Sequence, residues 1–274
     1  MSKIDFLPDI YWCNRKKTEQ FLSMLIDDLM PEYTLIASQG KSNEKGLEGN
    51  LGKIVAKYQK QSNDSTEREG KIIRSTSSLF KDLFTILEDG DKIQKLAGFD
   101  EEIWNQLRTG EFIEIDGEFK QSPAELVMSS MIEFADKYKG FYAAETSKED
   151  MQKIEFATSI FNLKKVTMII NPYVDGDFKF FTSLDAEHFL EDRYELEGEF
   201  TILGKIRKIY KPHQKIDLAK LLPGKMKFKK EQLIKFIPNM SQDDISFDTE
   251  EITEESFEIK GPAIEIMPIA IYQA

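Results

Sequence analysis

The most sustained apolar pattern in the chain runs from Phe257 to Tyr272. Phe257 and Ile259 alternate with polar residues, and Ala263, Ile264, Ile266, Met267, Ile269, Ala270 and Ile271 then follow almost without a break. Alternation that passes into a continuous run predicts a strand whose later part is buried on both faces, the central strand of a sheet. Pro262 and Pro268 mark a bulge, a bend or an edge in it. Earlier in the chain the spacing is helical. Phe21, Leu22, Leu25, Ile26 and Leu29 share one stripe of a helix over 16–29 that Pro31 ends. Ser77 or Ser78 caps a second helix reaching Glu88, with Leu79, Phe80, Leu83, Phe84 and Leu87 inward. A short helix over Lys92–Leu96 and another from Asp100 through Leu107 come next, and then Phe112–Lys120 reads as a hairpin turning at Asp116-Gly117. Three helices and a hairpin are the order of a winged helix.

Pro123 opens a further helix over 123–138, and 146–155 is polar enough to be a linker. Val166–Ile170 and Asp177–Thr182 form two strands, Asp185 caps a helix through Glu191, and Glu199–Tyr210 is a long strand. On that strand Phe200, Ile202 and Ile206 face one way, and Thr201, Leu203, Lys205 and Arg207 the other, so one face is core and the other turns basic. Short helices over 216–222 and 230–236 lead to an acidic loop. The expected fold class is α+β, with a helical N-terminal half carrying a β-hairpin and a mostly antiparallel C-terminal sheet with short helices. The expected domains are residues 1–145, mainly helical with a glycine-rich loop (38–70) and the hairpin (111–120), and residues 156–274, an α+β sheet domain.

With 274 residues and 41% hydrophobic content, the chain can bury a core without covalent staples. Cys13 is the single cysteine, which excludes an intramolecular disulfide and any multi-cysteine zinc site and fits a reducing cytosol. The opening Met-Ser-Lys-Ile-Asp is charged where a signal peptide is apolar, and no run approaches the ~18 residues of a membrane span. A cytoplasmic protein that does not engage membrane is expected. The net charge of −12 argues against coating nucleic acid with the whole surface, and Ser77–Lys139, the winged-helix-like part, has twice as many acids as bases.

Charge changes sign abruptly near the end. Lys205, Arg207, Lys208, Lys211, Lys227, Lys229 and Lys230 lie in a segment whose one acid is Asp217, and Asp243, Asp244, Asp248 and Glu250 open the acidic stretch that follows. These seven cations are the candidate anion-binding residues, suited to phosphates of a nucleic acid or nucleotide. The plainer reading is that the acidic stretch folds over the basic one and neutralises it. Acid-x-Lys pairs at Glu118-Phe-Lys120 and Asp177-Phe-Lys179 have the composition of a metal-dependent nuclease site, although strands beside Asp-Gly turns often carry such residues on their exposed face. Gly40-Lys41-Ser42 suggests a phosphate loop, but Leu35 stands where its first glycine belongs. His188 and His213, the two histidines, are in no metal-ligand spacing, and no nucleophile elbow is present, so neither metal nor cofactor is expected.

The glycine-rich stretch leading to Ser65-Thr66-Glu67, the block from Gly110 to Ile115, Phe200-Thr-Ile-Leu-Gly-Lys-Ile206 and Gly261-Pro-Ala-Ile264 carry a resemblance over nearly the whole chain. In them the chain resembles a family of uncharacterised bacterial proteins with a domain of unknown function. The resemblance implies a bacterial cytosolic origin and no mechanism, cofactor or site residue. The functional expectation is a binding or interaction module without a catalytic site, acting through a protein partner or as a homo-oligomer in a stress or phage-response system. The alternatives are a phosphate-recognising protein using the basic 205–230 segment and, behind it, a metal-dependent nuclease.

Overall fold

The computed structural model of the protein describes residues 8–38, 74–96, 101–127, 165–173, 178–192, 196–221 and 253–273. Nine strands and three labelled helices lie in them: β1 (Asp9–Cys13), α1 (Arg15–Ser38), α2 (Thr76–Asp89), β2 (Ile93–Lys95), α3 (Glu101–Gln106), β3 (Phe112–Gln121), β4 (Lys165–Pro172), β5 (Lys179–Asp185), β6 (Gly198–Tyr210), β7 (Lys215–Asp217), β8 (Glu258–Lys260) and β9 (Ala263–Gln273).

Five strands close on one another. β3 pairs with β4, β4 with β5, β5 with β9, β9 with β6, and β6 returns to β3. Every pair is antiparallel except β5 with β9. Within the barrel the order is first, second, third, fifth, fourth, back to first, the strand order and directions of the OB-type Greek-key barrel. Closure leaves none of the five with a bare edge, and the extra strands β1 and β2 extend the sheet beside β9 and β3.

The α+β expectation with a helical first half is therefore wrong: the described residues are mostly sheet around a closed barrel. Its cause is Gly117. The Asp116-Gly117 pair reads as a hairpin turn, yet β3 runs through it as one continuous strand, pairing with β6 from Phe112 to Phe119 and with β4 from Gly117 to Gln121. A Cβ on Gly117 would stand 2.7 Å from the Asn171 carbonyl oxygen, so the glycine serves the close approach of β4 rather than a reversal. With no hairpin there is no winged helix. Lys92–Leu96, expected as a helix, contains β2, which pairs parallel to β3. Pro31 does not end α1, which continues to Ser38. The helix expected after Asp185 is a single 3-10 turn, Ala186–His188.

Other readings hold. β9 is the central strand, bonded to β1, β5 and β6. Pro268 lies opposite Gly204, beside a register shift between Leu203 and Gly204, so it occupies a bulge as its missing N–H requires. Phe200, Ile202 and Ile206 enter the core. The five positions of α2 expected inward, Leu79, Phe80, Leu83, Phe84 and Leu87, are buried, together with Asp82 and Ile86, and Ser75 rather than Ser77 or Ser78 is the N-cap, its hydroxyl accepting from the Ser78 N–H.

Three clusters hold the fold. Ile113, Phe119, Met168, Phe180, Ile202 and Ile266 fill the barrel interior, each contributing roughly 1.5–3 kcal/mol by burial. Trp12, Tyr11 and Phe189 pack at the end where β6 begins, with the Trp12 indole N–H donating to the Asp185 carbonyl; Trp104 of α3 stacks on Phe178 where β5 begins. Outside, α1 and α2 pack on Leu203, Ile269, Ala270 and Tyr272. On another outer face, Ala124, Val127, Ile216, Phe257 and Ile259 cover Phe181 and Ala263. The predicted helix over 123–138 is described only for 123–127, which are helical. The glycine-rich loop 38–70, the helix over 230–236, and the linker 146–155 lie outside the described residues except for Ser38.

Candidate functional site

Among the described residues, a strip along β4, β5, β9 and β6 lies between the two outer faces that the chain itself covers; Thr167 on it is buried, while Lys165, Ser183, Glu265 and Met267 are partly or fully exposed. Pairing sets its rows. Ser183 of β5 and Thr167 of β4 are opposite each other, and Met267 of β9 faces Lys205 of β6. One step to one side of this row Glu265 of β9 faces Lys208, and one step to the other side Lys165 of β4 faces Asp185 of β5.

A second bulge shapes the cationic side. The register shifts between Ile206 and Lys208, so Arg207 is the extra residue, and both Arg207 and Lys208 are exposed while Ile206 stays in the core. Regular alternation would have sent one of the two inward. Arg207 pairs with Glu265 at 3.0 Å. The Lys208 ammonium lies 4.4 Å from the Tyr210 ring centroid, and that of Lys205 lies 4.6 Å from Phe112 and 5.1 Å from Phe21. These rings hold the ammonium groups in place by cation–π attraction without using the outward hydrogens. Lys211, exposed, continues the row past the end of β6. Of the seven cations expected from sequence, Lys205, Arg207, Lys208 and Lys211 are thus together; Lys227, Lys229 and Lys230 lie outside the described residues.

Two cations that sequence reasoning missed approach the same strip. Lys17 in the first turn of α1 is partly buried. Its ammonium is held below the ordinary lysine value chiefly by burial; Asp185 pulls it back up, and Arg207 and Lys165 push it further down. Lys165 pairs with Asp185 at 3.4 Å. A signal existed in Arg15-Lys16-Lys17, three cations opening a helix with no acid in its first turn, against the preference set by the helix dipole.

Among the described residues, one contact, Lys215 to Glu258, joins the basic segment to the acidic stretch. β7 pairs with β8, which brings Lys215 to 2.9 Å from Glu258, and Lys260 meets Glu255 at 2.9 Å. Lys220 pairs with Asp217. These contacts lie beyond Lys211, and the acids at 243, 244, 248 and 250 are outside the described residues.

The candidate nuclease pairs lie on neighbouring strands, Glu118 opposite Asn171 and Lys179 beside Asn171. Glu118 and Lys120 share the outer face of β3 and pair with each other at 3.1 Å, while Lys179 donates to Asn171 Oδ1 at 2.8 Å; Asp177 is outside the described residues, as is Gly40-Lys41-Ser42. No group of three or more His, Cys, Asp or Glu side chains fit to hold a metal occurs among the described residues. His188 packs edge-on against Trp12, and His213 is exposed in the turn after β6. Cys13 is buried beside the Thr18 hydroxyl, and burial pushes its thiol up to about 11, away from nucleophilic duty.

A family model described as Domain of unknown function (DUF6414) matches residues 7–272. The chain belongs to this family. The DUF6414 match spans every strand of the barrel, β1 and β2, and the cations of the strip. Two of the four sequence blocks that carried the resemblance are hydrogen-bonded neighbours here, the start of β3 on the middle of β6, and a third, Gly261–Ile264, pairs through Ala263 and Ile264 with Tyr210 and Ile209 at the end of β6. No curated protein and no solved structure matches the chain. No helix among the described residues is long and apolar enough to cross a membrane.

Proposed function

We propose that this DUF6414 protein is a binding module of the bacterial cytosol that recognises a phosphate-bearing ligand, single-stranded nucleic acid first among them, on the outer face of its barrel. The observation that carries this is the bulge at Arg207, which presents Arg207 and Lys208 side by side and outward, next to Lys205 and Lys211, in a protein of net charge −12. Concentrating cations on one strip of an acidic surface favours a local anionic contact over general attraction to polyanions. Three further observations support the reading. The barrel interior is filled by side chains, so recognition belongs to the surface. Barrels of this strand order serve, by analogy of fold alone, as platforms for oligonucleotides. The rings under Lys205 and Lys208 fix two of the cations and lower the entropy lost on binding.

The test is binding of fluorescent single- and double-stranded DNA and RNA at low and moderate salt, with a Lys205→Glu/Arg207→Glu/Lys208→Glu variant alongside. Salt-sensitive binding that disappears in the variant is expected. Equal binding by the variant overturns the assignment of the strip, and no binding at low salt turns the search toward a protein partner or self-association.

A further inference from the structure

Glu265 stands inside the cationic strip and is a fixed part of it. Its strand, β9, is paired on both sides, with Glu265 opposite Phe181 of β5 and Lys208 of β6. Its side chain is 18% exposed against 67% for that of Arg207, so the acid is anchored where the arginine is free to turn. One carboxylate oxygen meets Arg207 Nη1 at 3.0 Å, and the other accepts from the Tyr210 hydroxyl at 3.4 Å. The ring of the same Tyr210 lies under the Lys208 ammonium at 4.4 Å. Glu265, Arg207, Lys208 and Tyr210 are thus one constellation, in which each group touches the next.

Where the cations lie gives this acid its consequence. Lys205 and Lys208 are three residues apart on β6, roughly 10 Å at the rise of a strand, and each ammonium is held over a different ring. Lys211 follows at the same interval in sequence. Charges spread in this way meet successive phosphates of a chain and do not close on one compact group. Arg207 and Lys208, adjacent at the bulge, are where two cations could converge, and it is their row that holds the acid. Lys205 faces the uncharged Met267, and Tyr210 faces Ala263. Coulomb repulsion grows with the charge of the ligand. At about 6 Å in a solvent-like dielectric, one carboxylate weakens the binding of a single negative charge about threefold and of two charges at the same place about tenfold. A phosphodiester brings one charge to the bulge, and a polyphosphate brings two or more.

We propose that Glu265 is the specificity-determining residue of the strip, acting against compact polyphosphates such as a nucleoside triphosphate and in favour of phosphodiesters spaced along a chain. It is the repulsive element that discrimination between two phosphate ligands requires. The inference rests on the reading of the strip as a phosphate surface, and adds the demand that the acid within it sets which phosphates are taken.

The experiment titrates a length series of oligothymidylates, thymidine triphosphate and inorganic pyrophosphate into the wild type and Glu265→Gln, without divalent cations. Glutamine keeps the shape of the side chain and an oxygen that accepts from Arg207. In the wild type, affinity is expected to rise with strand length, and the longest strand to bind at least about tenfold more tightly than the triphosphate. In Glu265→Gln the triphosphate and pyrophosphate gain about tenfold and the strand about threefold, so the preference narrows. Thermal melting near that of the wild type shows the fold intact, and a gain of binding is a result that loss of folding cannot mimic. Triphosphate and strand binding the wild type equally, or gaining equally in Glu265→Gln, overturns the role of Glu265 and leaves the strip standing. Binding of triphosphate by Glu265→Gln, with no strand bound by either protein, supports that role and removes the nucleic-acid reading. No binding of any ligand by either protein overturns both.

Discussion

Gly117 is the residue on which barrel closure by β3 turns, and replacing it tests the closure. A Cβ there would lie 2.7 Å from the Asn171 carbonyl oxygen and 2.8 Å from Ile170 Cγ2, about 0.7 Å inside the 3.4 Å at which ordinary contact begins. The oxygen belongs to the backbone of β4 and cannot rotate away, so β3 and β4 must part or twist. Overpacking of this kind costs about 1–3 kcal/mol. With a urea slope of about 2–3 kcal/mol/M, the midpoint for Gly117→Ala falls by roughly 0.3–1.5 M at unchanged slope. A hairpin turn at Asp116-Gly117 would also resist alanine, so a second substitution separates the two. Asp116 in such a turn needs a left-handed backbone, which a β-branched residue strongly disfavours. In the continuous strand it is extended, exposed and opposite Thr201, whose hydroxyl donates to Asp116 Oδ1 at 2.6 Å. Asp116→Thr then makes a cross-strand Thr–Thr pair and shifts stability by no more than about 0.5 kcal/mol. Urea unfolding followed by tryptophan fluorescence reads both. Asp116→Thr costing more than Gly117→Ala would refute the argument.

The other predictions concern groups inside the fold. The Tyr272 hydroxyl donates to Glu114, which Lys95 also approaches at 3.4 Å, so Tyr272→Phe leaves a mostly buried carboxylate short of a donor; a loss of about 1.5–3 kcal/mol is expected in urea unfolding, and an unchanged midpoint would show the contact to be idle. Burial raises the Cys13 thiol from 9.0 to about 11, so the folded chain keeps a proton that the unfolded chain loses first; the stability this contributes is full below pH about 9 and is lost between about 9 and 11. It amounts to about 2–3 kcal/mol at most, and the advantage of wild type over Cys13→Ala should therefore narrow as pH rises from about 8 to about 10, whereas a widening gap would contradict the sign. Native Cys13 should also resist thiol reagents at mild pH until urea unfolds the chain, and prompt labelling of the folded protein would show the burial to be wrong.

What could be read from the chain depended on whether the signal was local. β9, β6 and α2 carry their patterns within themselves, and each lies where its apolar period puts it. β3 was misread because an Asp-Gly pair marks a turn equally well whether or not β4 lies across it; only the pairing of Gly117 with Pro172 decides. The five residues Lys92–Leu96 are too short for any period to separate helix from strand, and the partner that makes β2 a strand is β3. Closure itself rests on strands as far apart as Phe112 and Lys205, and no local pattern records it. The candidate site divides in the same way. Lys205, Arg207 and Lys208 were visible because one strand holds them, although the bulge that turns Arg207 and Lys208 outward together was not. Lys17 and Lys165 are placed by the packing of α1 and the register of β4, so they were legible only as an acid-free helix start and an ordinary lysine.

The measurement that tests the central claim most directly is the salt dependence of binding to single-stranded oligonucleotide. Each phosphate contact contributes about −0.7 to the slope of log affinity against log salt, so contacts by Lys205, Arg207, Lys208 and Lys211 predict a slope near −3. Neutralising the first three as Lys205→Gln/Arg207→Gln/Lys208→Gln should leave a slope of about −1. A slope near zero for the wild type, or one that the substitutions leave unchanged, would contradict the claim that this strip of the barrel reads phosphate.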